Sequence, residues 1–201
     1  MKELQEGVYM DNRKLFTKDN DGYRYWDPRS SKLATSILKG MSCPIKKDSK
    51  VLYLGAAHGY TASFVADIAK EGLVVAIDFA PRVVRDLVFA SEKIKNMTAI
   101  LADANRPESY YHYAPAADIV YQDIAQKNQV EIFLKNTNLF LKKNGYGFLA
   151  IKARSIDTTQ EPRKVFREAR AELEKSVKII DSRQLEPFQK DHCMFLCRKE
   201  R

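Results

Sequence analysis

The chain has 201 residues, which fits one domain with a small extension, because single domains usually hold about 100 to 200 residues. A hydrophobic share of 45% is enough for a substantial core, and no apolar run approaches the roughly 20 residues that cross a bilayer, so we expect no membrane partner. The formal charge of +8 favours a polyanionic partner, nucleic acid before membrane, although a plain solvated basic surface explains it equally well.

The first residues, Met1 to Glu6, lack the apolar region of a signal peptide, so we expect a cytoplasmic protein. The three cysteines, Cys43, Cys193 and Cys197, form no paired Cys-x-x-Cys motif. We interpret them as reduced structural thiols and predict no metal site.

Residues 7–26 contain two short β-rich runs, Gly7 to Met10 and Tyr23 to Trp26, around the polar segment 18–22. Runs of this kind bounded by Asn, Asp and Gly predict a hairpin. Residues 30–39 have the apolar spacing of a short helix. We therefore divide the chain into an extension with a linking helix, 1–45, and a main domain, 46–201.

The main domain alternates predicted strands with predicted helices. The strands cover 51–55, 73–79, 98–102, 118–123 and 146–152, and the helices cover 60–70, 82–94, 128–142 and 161–175. Two last strands, 177–180 and 192–197, have no helix between them and are expected to pair antiparallel. This alternation predicts an α/β fold with a Rossmann-like, mainly parallel sheet behind a β-rich N-terminal extension.

A glycine turn follows the first strand of the sheet. Gly55 and Gly59 let the backbone approach a ligand, and Asp78 after the second strand can bind both hydroxyls of a ribose. The turn lacks a third glycine for a pyrophosphate, and Tyr60 and Thr61 stand where a phosphate-binding loop needs a lysine. These features favour S-adenosylmethionine, which has a ribose and adenine but no phosphate. The alternative is an ordinary strand-to-helix turn.

Ionisable residues end four of the predicted parallel strands: Asp78, Asp103, Asp123 and Lys152. Ligands of parallel sheets bind beyond the carboxyl ends of the strands, so these side chains are expected to converge on one rim. Each one alone is explained as well by a helix cap or a surface charge. Their occurrence together beside a glycine turn indicates a binding site.

Several segments resemble the fibrillarin family over nearly the whole chain. They are Tyr23 to Ala34, Val51 to Thr61, Phe79 to Arg82, Ala102 to Ala104, Tyr121 to Gln126, Ala150 to Asp157 and Glu186 to His192. The Ile-Lys-Ala-Arg-Ser-Ile-Asp and Pro-Phe-x-x-Asp-His runs are the most specific signals. The absence of a Gly/Arg-rich N-terminal tail resembles the archaeal form.

The resemblance implies an S-adenosylmethionine-dependent RNA 2′-O-ribose methyltransferase that acts on rRNA and possibly tRNA. It implies a catalytic group of Lys32, Asp123, Lys152 and His192. It also implies a set of cofactor-binding residues: Gly55, Ala56, Tyr60, Thr61, Asp78, Phe79, Asp103, Ala104, Asp123, Ile124, Ala125 and Gln126. The chain departs from the common family pattern at His58, Tyr60 and Asp78.

The family likeness further implies partners: a box C/D guide RNA with its target RNA, a Nop-domain scaffold protein and a kink-turn-binding ribosomal-type protein. Arg29 and Arg154 are expected to contact phosphates, which position RNA without reading its sequence. Target choice is therefore assigned to base pairing outside this chain.

For proton removal, Lys152 is the predicted base, on the condition that burial and the second cation Lys32 favour its neutral form. Asp123 is expected to orient Lys152, and His192 to steer the hydroxyl or relay the proton. Two other classes stay open. One is a stand-alone RNA or small-molecule methyltransferase, and the other is a non-catalytic RNA-binding scaffold of the same fold.

Overall fold

The computed structural model describes residues 1–200 and begins with a four-stranded antiparallel sheet. Its strands, adjacent in chain order, are β1 (Lys2–Gln5), β2 (Val8–Asp11), β3 (Lys14–Lys18) and β4 (Tyr23–Trp26). The predicted hairpin is therefore wrong, because β2 pairs with β3 and not with β4. The predicted polar turn at 18–22 does join two strands, β3 and β4.

Two features explain why strands β1 and β3 of this sheet were not predicted. Strand β1 is charged and mostly exposed, so it carries no alternation of apolar and polar residues. The turn between β2 and β3 consists of Asn12 and Arg13, both with positive φ (45° and 62°). That conformation usually requires Asn-Gly, and an arginine in the second position conceals the turn.

The main sheet has seven strands in the order β10-β11-β9-β8-β5-β6-β7. They are β5 (Lys50–Leu54), β6 (Leu73–Asp78), β7 (Met97–Leu101), β8 (Ala117–Gln122), β9 (Leu141–Lys152), β10 (Lys178–Gln184) and β11 (His192–Arg198). Strands β7, β6, β5, β8 and β9 run parallel, while β11 is antiparallel to both β9 and β10. The Rossmann-like sheet and the antiparallel C-terminal pair are thus confirmed.

Helices cover both faces of the sheet: α1 (Lys32–Leu38), α2 (Tyr60–Ile68), α3 (Pro81–Ser91), α4 (Gln129–Phe140), α5 (Ala153–Ile156) and α6 (Pro162–Leu173). A short 3₁₀ turn covers Pro107–Tyr110. Helix α4 ends earlier than predicted because Leu141 already has extended backbone and begins β9 directly. The single turn of α5 was not predicted. No helix within residues 1–200 is long and apolar enough to span a bilayer.

The sheet separates two hydrophobic clusters. Along β5, Val51 and Tyr53 belong to one cluster and Leu52 and Leu54 to the other, as the two-residue period of a doubly covered strand requires. The first cluster also contains Val8, Leu15 and Trp26 of the N-terminal sheet. The boundary drawn at 45/46 stays a prediction about organisation, and residues on both sides of it share this cluster.

Candidate active site

The site lies where the order of the parallel strands reverses. Chain order proceeds from β5 to β6 and β7 on one side, and then returns to β8 on the other side of β5. The loops after β5 and β8 diverge from this point, and the crevice between them is the usual ligand site of an open α/β sheet.

Gly55 occupies the floor of this crevice. Its φ is +78°, and an added Cβ would collide with the carbonyl oxygen of Asp123. The amide nitrogens of Gly55 and Ala56 both donate to the carbonyl of Ile77, at 2.9 and 3.0 Å. Glycine is therefore required here by two independent constraints, a left-handed backbone and the close passage of the loop after β8.

Asp78, the last residue of β6, is held by the backbone on both sides. Its Oδ2 accepts from the Ala57 amide at 3.0 Å, and its Oδ1 accepts from the Ala80 amide at 3.1 Å. Ala57 is itself in the left-handed region, with φ of 48°. Each carboxylate oxygen has a second lone pair, so the fixed carboxylate can still accept hydrogen bonds from a ligand.

A cavity with about 530 Å³ of empty space, including its open mouth, lies at these strand ends. Its walls include most of the predicted cofactor residues, namely Gly55, Asp78, Phe79, Asp103, Ala104, Asp123, Ile124, Ala125 and Gln126. Ala57, Ile77 and Ala102 also line it and were missed, because small and aliphatic residues at strand ends carry no chemical signal. Of the four ionisable residues predicted to converge on one rim, Asp78, Asp103 and Asp123 line this cavity and Lys152 does not.

Ala56, Tyr60 and Thr61 do not line the cavity. The Tyr60 hydroxyl accepts from the Asp27 amide at 3.3 Å, and the Thr61 hydroxyl donates to Ser31 Oγ at 3.1 Å. Ser31 caps helix α1 through the Ala34 amide. These contacts fix the start of α2 against the segment that carries Lys32, and a cofactor role for the three residues stays a prediction.

The four predicted catalytic residues come together at the edge of the cavity. Lys32 Nζ lies 2.7 Å from Asp123 Oδ2, with the two side chains 20% and 25% exposed. Lys152 ends β9 and lies opposite His192, the first residue of β11, in the register of these two antiparallel strands. The charges of Lys32, Asp123 and Lys152 all act on the His192 ring. Within residues 1–200, Asp123 forms its ion pair with Lys32 and not with Lys152.

Burial disfavours the charged form of His192, and a backbone carbonyl fixes one of its two ring nitrogens. Burial is the main cause that lowers the pKa of His192 from its ordinary 6.5, and the Lys32 and Lys152 charges add to this against the opposing effects of the Lys190 carbonyl and Asp123. The ring Nδ1 lies 2.6 Å from the Lys190 carbonyl oxygen. A carbonyl only accepts, so Nδ1 carries the hydrogen and Nε2 keeps its lone pair.

The two predicted RNA-binding arginines, Arg29 and Arg154, are each paired with an acid. Arg29 Nη2 lies 3.1 Å from Asp27 Oδ2, and Arg154 Nε lies 3.2 Å from Asp191 Oδ2. The Arg29 side chain is 74% exposed, so its guanidinium remains open to a further anion. Gln189 donates to the carbonyl of Arg29 at 2.6 Å, which fixes the loop before His192 to the segment before Lys32.

The sheet order, the cavity at the strand reversal and the adjoining ionisable group define a Rossmann-like α/β domain built to hold a nucleoside-type ligand. The family model described as Fibrillarin matches residues 1–201. The chain belongs to the fibrillarin family.

Individual relatives agree with this assignment. The chain is 48% identical over 197 residues to the fibrillarin-like rRNA/tRNA 2′-O-methyltransferase of Methanocaldococcus jannaschii, covering 97% of this chain and 86% of that protein. It matches a fibrillarin solved in complex with Nop5p at a TM-score of 0.95 and 39% identity, over 98% of this chain and 100% of the other. Aeropyrum pernix fibrillarin with natively bound S-adenosyl-L-methionine matches at a TM-score of 0.82 and 35% identity, over 98% and 100%.

Proposed function

We propose that this chain is an S-adenosylmethionine-dependent methyltransferase that methylates the 2′-hydroxyl of ribose in RNA, both rRNA and tRNA. The observation that carries the proposal is the Lys32, Asp123, Lys152 and His192 group at the edge of a nucleoside-sized cavity. Support comes from membership of the fibrillarin family and from the Methanocaldococcus relative, which is named for this activity.

The cavity fits S-adenosylmethionine better than a nucleotide. Three carboxylates, Asp78, Asp103 and Asp123, line its walls, so a phosphate would be repelled and a cationic ligand favoured. Asp78 would accept from the ribose hydroxyls, while Phe79 and Ile124 provide apolar surface. When bound, the cofactor supplies an electrophilic methyl group on its sulfonium. The A. pernix relative holds it natively.

His192 meets the requirements for the proton acceptor better than Lys152 does. The predicted role of Lys152 as base needed burial and the second cation Lys32, but Lys152 is exposed and Lys32 is ion-paired with Asp123. The 2′-hydroxyl proton would pass to the free Nε2 of His192 and from there to solvent. Lys152 then orients the incoming ribose, and Asp123 keeps its ion pair with Lys32 beside the cofactor.

Recognition of the RNA is assigned to a larger particle. Arg29 and Arg154 would grip phosphates and position the strand without reading bases, so a box C/D guide RNA would select the target. The structural relative in complex with Nop5p supports a Nop-domain scaffold partner. A kink-turn-binding protein and a cytoplasmic location complete the proposal.

Reconstitution tests this function. The chain, a Nop-domain protein, a kink-turn-binding protein and a box C/D guide RNA should methylate one 2′-hydroxyl of a complementary target, whereas the chain alone should give little site-specific transfer. Lys152→Ala should reduce transfer by about 100-fold or more, because orientation of the ribose dominates the rate, with S-adenosylmethionine affinity nearly unchanged in calorimetry. Lys175→Ala, an exposed lysine after α6, serves as the control.

The opposite outcomes separate the alternatives. If the chain did not bind S-adenosylmethionine, the non-catalytic RNA-binding scaffold would be the remaining alternative. Efficient modification of RNA by the chain alone, without a guide, would instead indicate a stand-alone methyltransferase.

A further inference from the structure

We infer that Gln129 and Asn136 are positioning residues of the active site, and that these two buried carboxamides of helix α4 hold the backbone at Lys152 and at Ala104 in place. The inference rests on the proposed function for its catalytic consequences. Both side chains are fully buried at 0% exposure, and neither belongs to the predicted catalytic or cofactor-binding set.

Gln129 fixes the backbone of Lys152. Its Oε1 accepts from the Lys152 amide at 3.0 Å, and its Nε2 donates to the Lys152 carbonyl at 3.3 Å. The same Nε2 donates to the Gln126 carbonyl at 2.7 Å. One carboxamide therefore links the end of β9 to the loop that lines the cavity.

The hydrogen bonds of Gln129 stand in for those that a longer strand β8 would make to Lys152. The last pair between β8 and β9 joins Gln122 to Leu149, so β8 has ended before Lys152 is reached. The carboxamide of Gln129 has the same donor and acceptor as a peptide group and takes the place that the next residues of β8 would occupy. Lys152 therefore keeps hydrogen bonds like those of a paired strand on the side that faces β8, although β8 itself has ended there.

Asn136 holds a second part of the backbone that lines the cavity. Its Nδ2 donates to the Ala104 carbonyl at 2.8 Å and to the Ile132 carbonyl at 2.9 Å. Its Oδ1 accepts from the hydroxyl of the buried Tyr110. Ala104 lines the cavity, so Asn136 fixes the position of the Asp103–Ala104 backbone in the cavity wall.

The two carboxamides have separable consequences. Gln129 and Asn136 are seven residues apart, about two turns, and thus lie on the same face of α4. Gln129 acts mainly through the proposed catalytic lysine and also holds the Gln126 carbonyl in the loop that lines the cavity. Its loss should therefore slow methyl transfer and, to a smaller extent, weaken S-adenosylmethionine binding. Asn136 acts through the cofactor wall alone, so its loss should weaken S-adenosylmethionine binding.

The test compares Gln129→Met and Asn136→Leu, which keep side-chain volume but lose the hydrogen bonds. In the reconstituted particle, Gln129→Met should lower the single-turnover rate at saturating S-adenosylmethionine by about 10- to 100-fold, with the dissociation constant changed less than about threefold. Asn136→Leu should raise that constant by about tenfold, with the saturated rate near the wild-type value. Asn138→Ala, an exposed amide on the same helix, is the matched control.

A second measurement does not depend on RNA methylation. Amide hydrogen exchange of the free chain should show faster exchange at Lys152 in Gln129→Met and unchanged exchange there in Asn136→Leu. If the wild-type particle proves inactive while this pattern holds, the proposed function fails and the positioning role stands. Gln129→Leu, which also lacks the donor and the acceptor, replaces Gln129→Met if the latter does not fold and should give a change of the same kind.

Two outcomes would overturn the inference. One is a Gln129 variant with wild-type rate and wild-type exchange at Lys152. The other is an equal loss of rate and affinity in both variants, which would indicate a general loosening of α4.

Discussion

The pKa of His192 is lowered by its surroundings in the fold. Burial lowers its pKa, and the Lys190 carbonyl selects the hydrogen position on the ring. The residue was identified from the sequence, but only the fold shows that its Nε2 is the free nitrogen. Lys152, by contrast, lacks the burial that the sequence-based hypothesis required.

The pH dependence of methyl transfer should report His192. A proton acceptor must be neutral, so the single-turnover rate should rise with pH through a pKa below 6.5 and be level above it. His192→Asn should lower the plateau by about 100-fold or more and remove the dependence. The measurement is the rate between pH 5 and pH 8 at saturating cofactor.

His112→Asn controls for the loss of a histidine, since His112 is exposed. A wild-type rate that continues to rise toward the ordinary lysine range, about pH 10, would assign proton removal to Lys152 instead.

In the turn after β5, the local backbone conformation and a packing contact distant in sequence constrain the same residue. Gly55 needs its positive φ and also lies against the loop after β8, so this one turn fixes the distance between two parts of the crevice. Gly40 offers a comparison, because it has a positive φ of +88° with no atom within 4 Å of an added Cβ.

Replacing each glycine with alanine should separate the two effects. Gly40→Ala should lower the free energy of unfolding by about 1 to 2 kcal/mol, the cost of a left-handed backbone. Gly55→Ala should cost at least about 2 kcal/mol more, because a buried backbone contact must also give way, and it should weaken S-adenosylmethionine binding. Denaturant titration and calorimetry provide the values, and equal losses in both variants would argue against the close contact.

The sequence predicts elements well where a period or a strand end carries the signal. The acids at the ends of β6 and β8 lie where parallel strands must place them, and α6 buries the expected Val165 and Phe166. Prediction fails where the backbone adopts a conformation that its residue types do not indicate, as in the turn at Asn12 and Arg13, where two residues other than glycine have positive φ. It also fails for Gln129, because a buried glutamine at a helix start has no periodic signature, and its partners at Lys152 are 23 residues away.

The N-terminal sheet and the main domain are joined by polar and apolar contacts. Trp26 stacks on Phe64 of α2 with ring centroids 5.2 Å apart. Arg24 Nη1 lies 2.8 Å from Asp67 Oδ2, which also accepts from the Thr17 hydroxyl at 2.6 Å. The extension therefore shares the hydrophobic cluster on one face of the main sheet.

Unfolding should accordingly be a single transition. Trp26 is the only tryptophan and reports on the N-terminal sheet, while far-ultraviolet circular dichroism reports on the whole chain. Denaturant curves from the two probes should coincide, as cooperative unfolding requires. A fluorescence transition at distinctly lower denaturant would show that the extension unfolds separately.

The position of β11 also determines when this enzyme can exist during its own synthesis. Strand β11 lies inside the sheet, between β9 and β10, and His192 is its first residue. A nascent chain still short of Arg198 therefore has an open gap in the sheet, and Lys152 has no cross-strand partner. Because the proposed catalytic group joins Lys32 to His192, that group cannot form until the segment between these two residues and strand β11 have been synthesised.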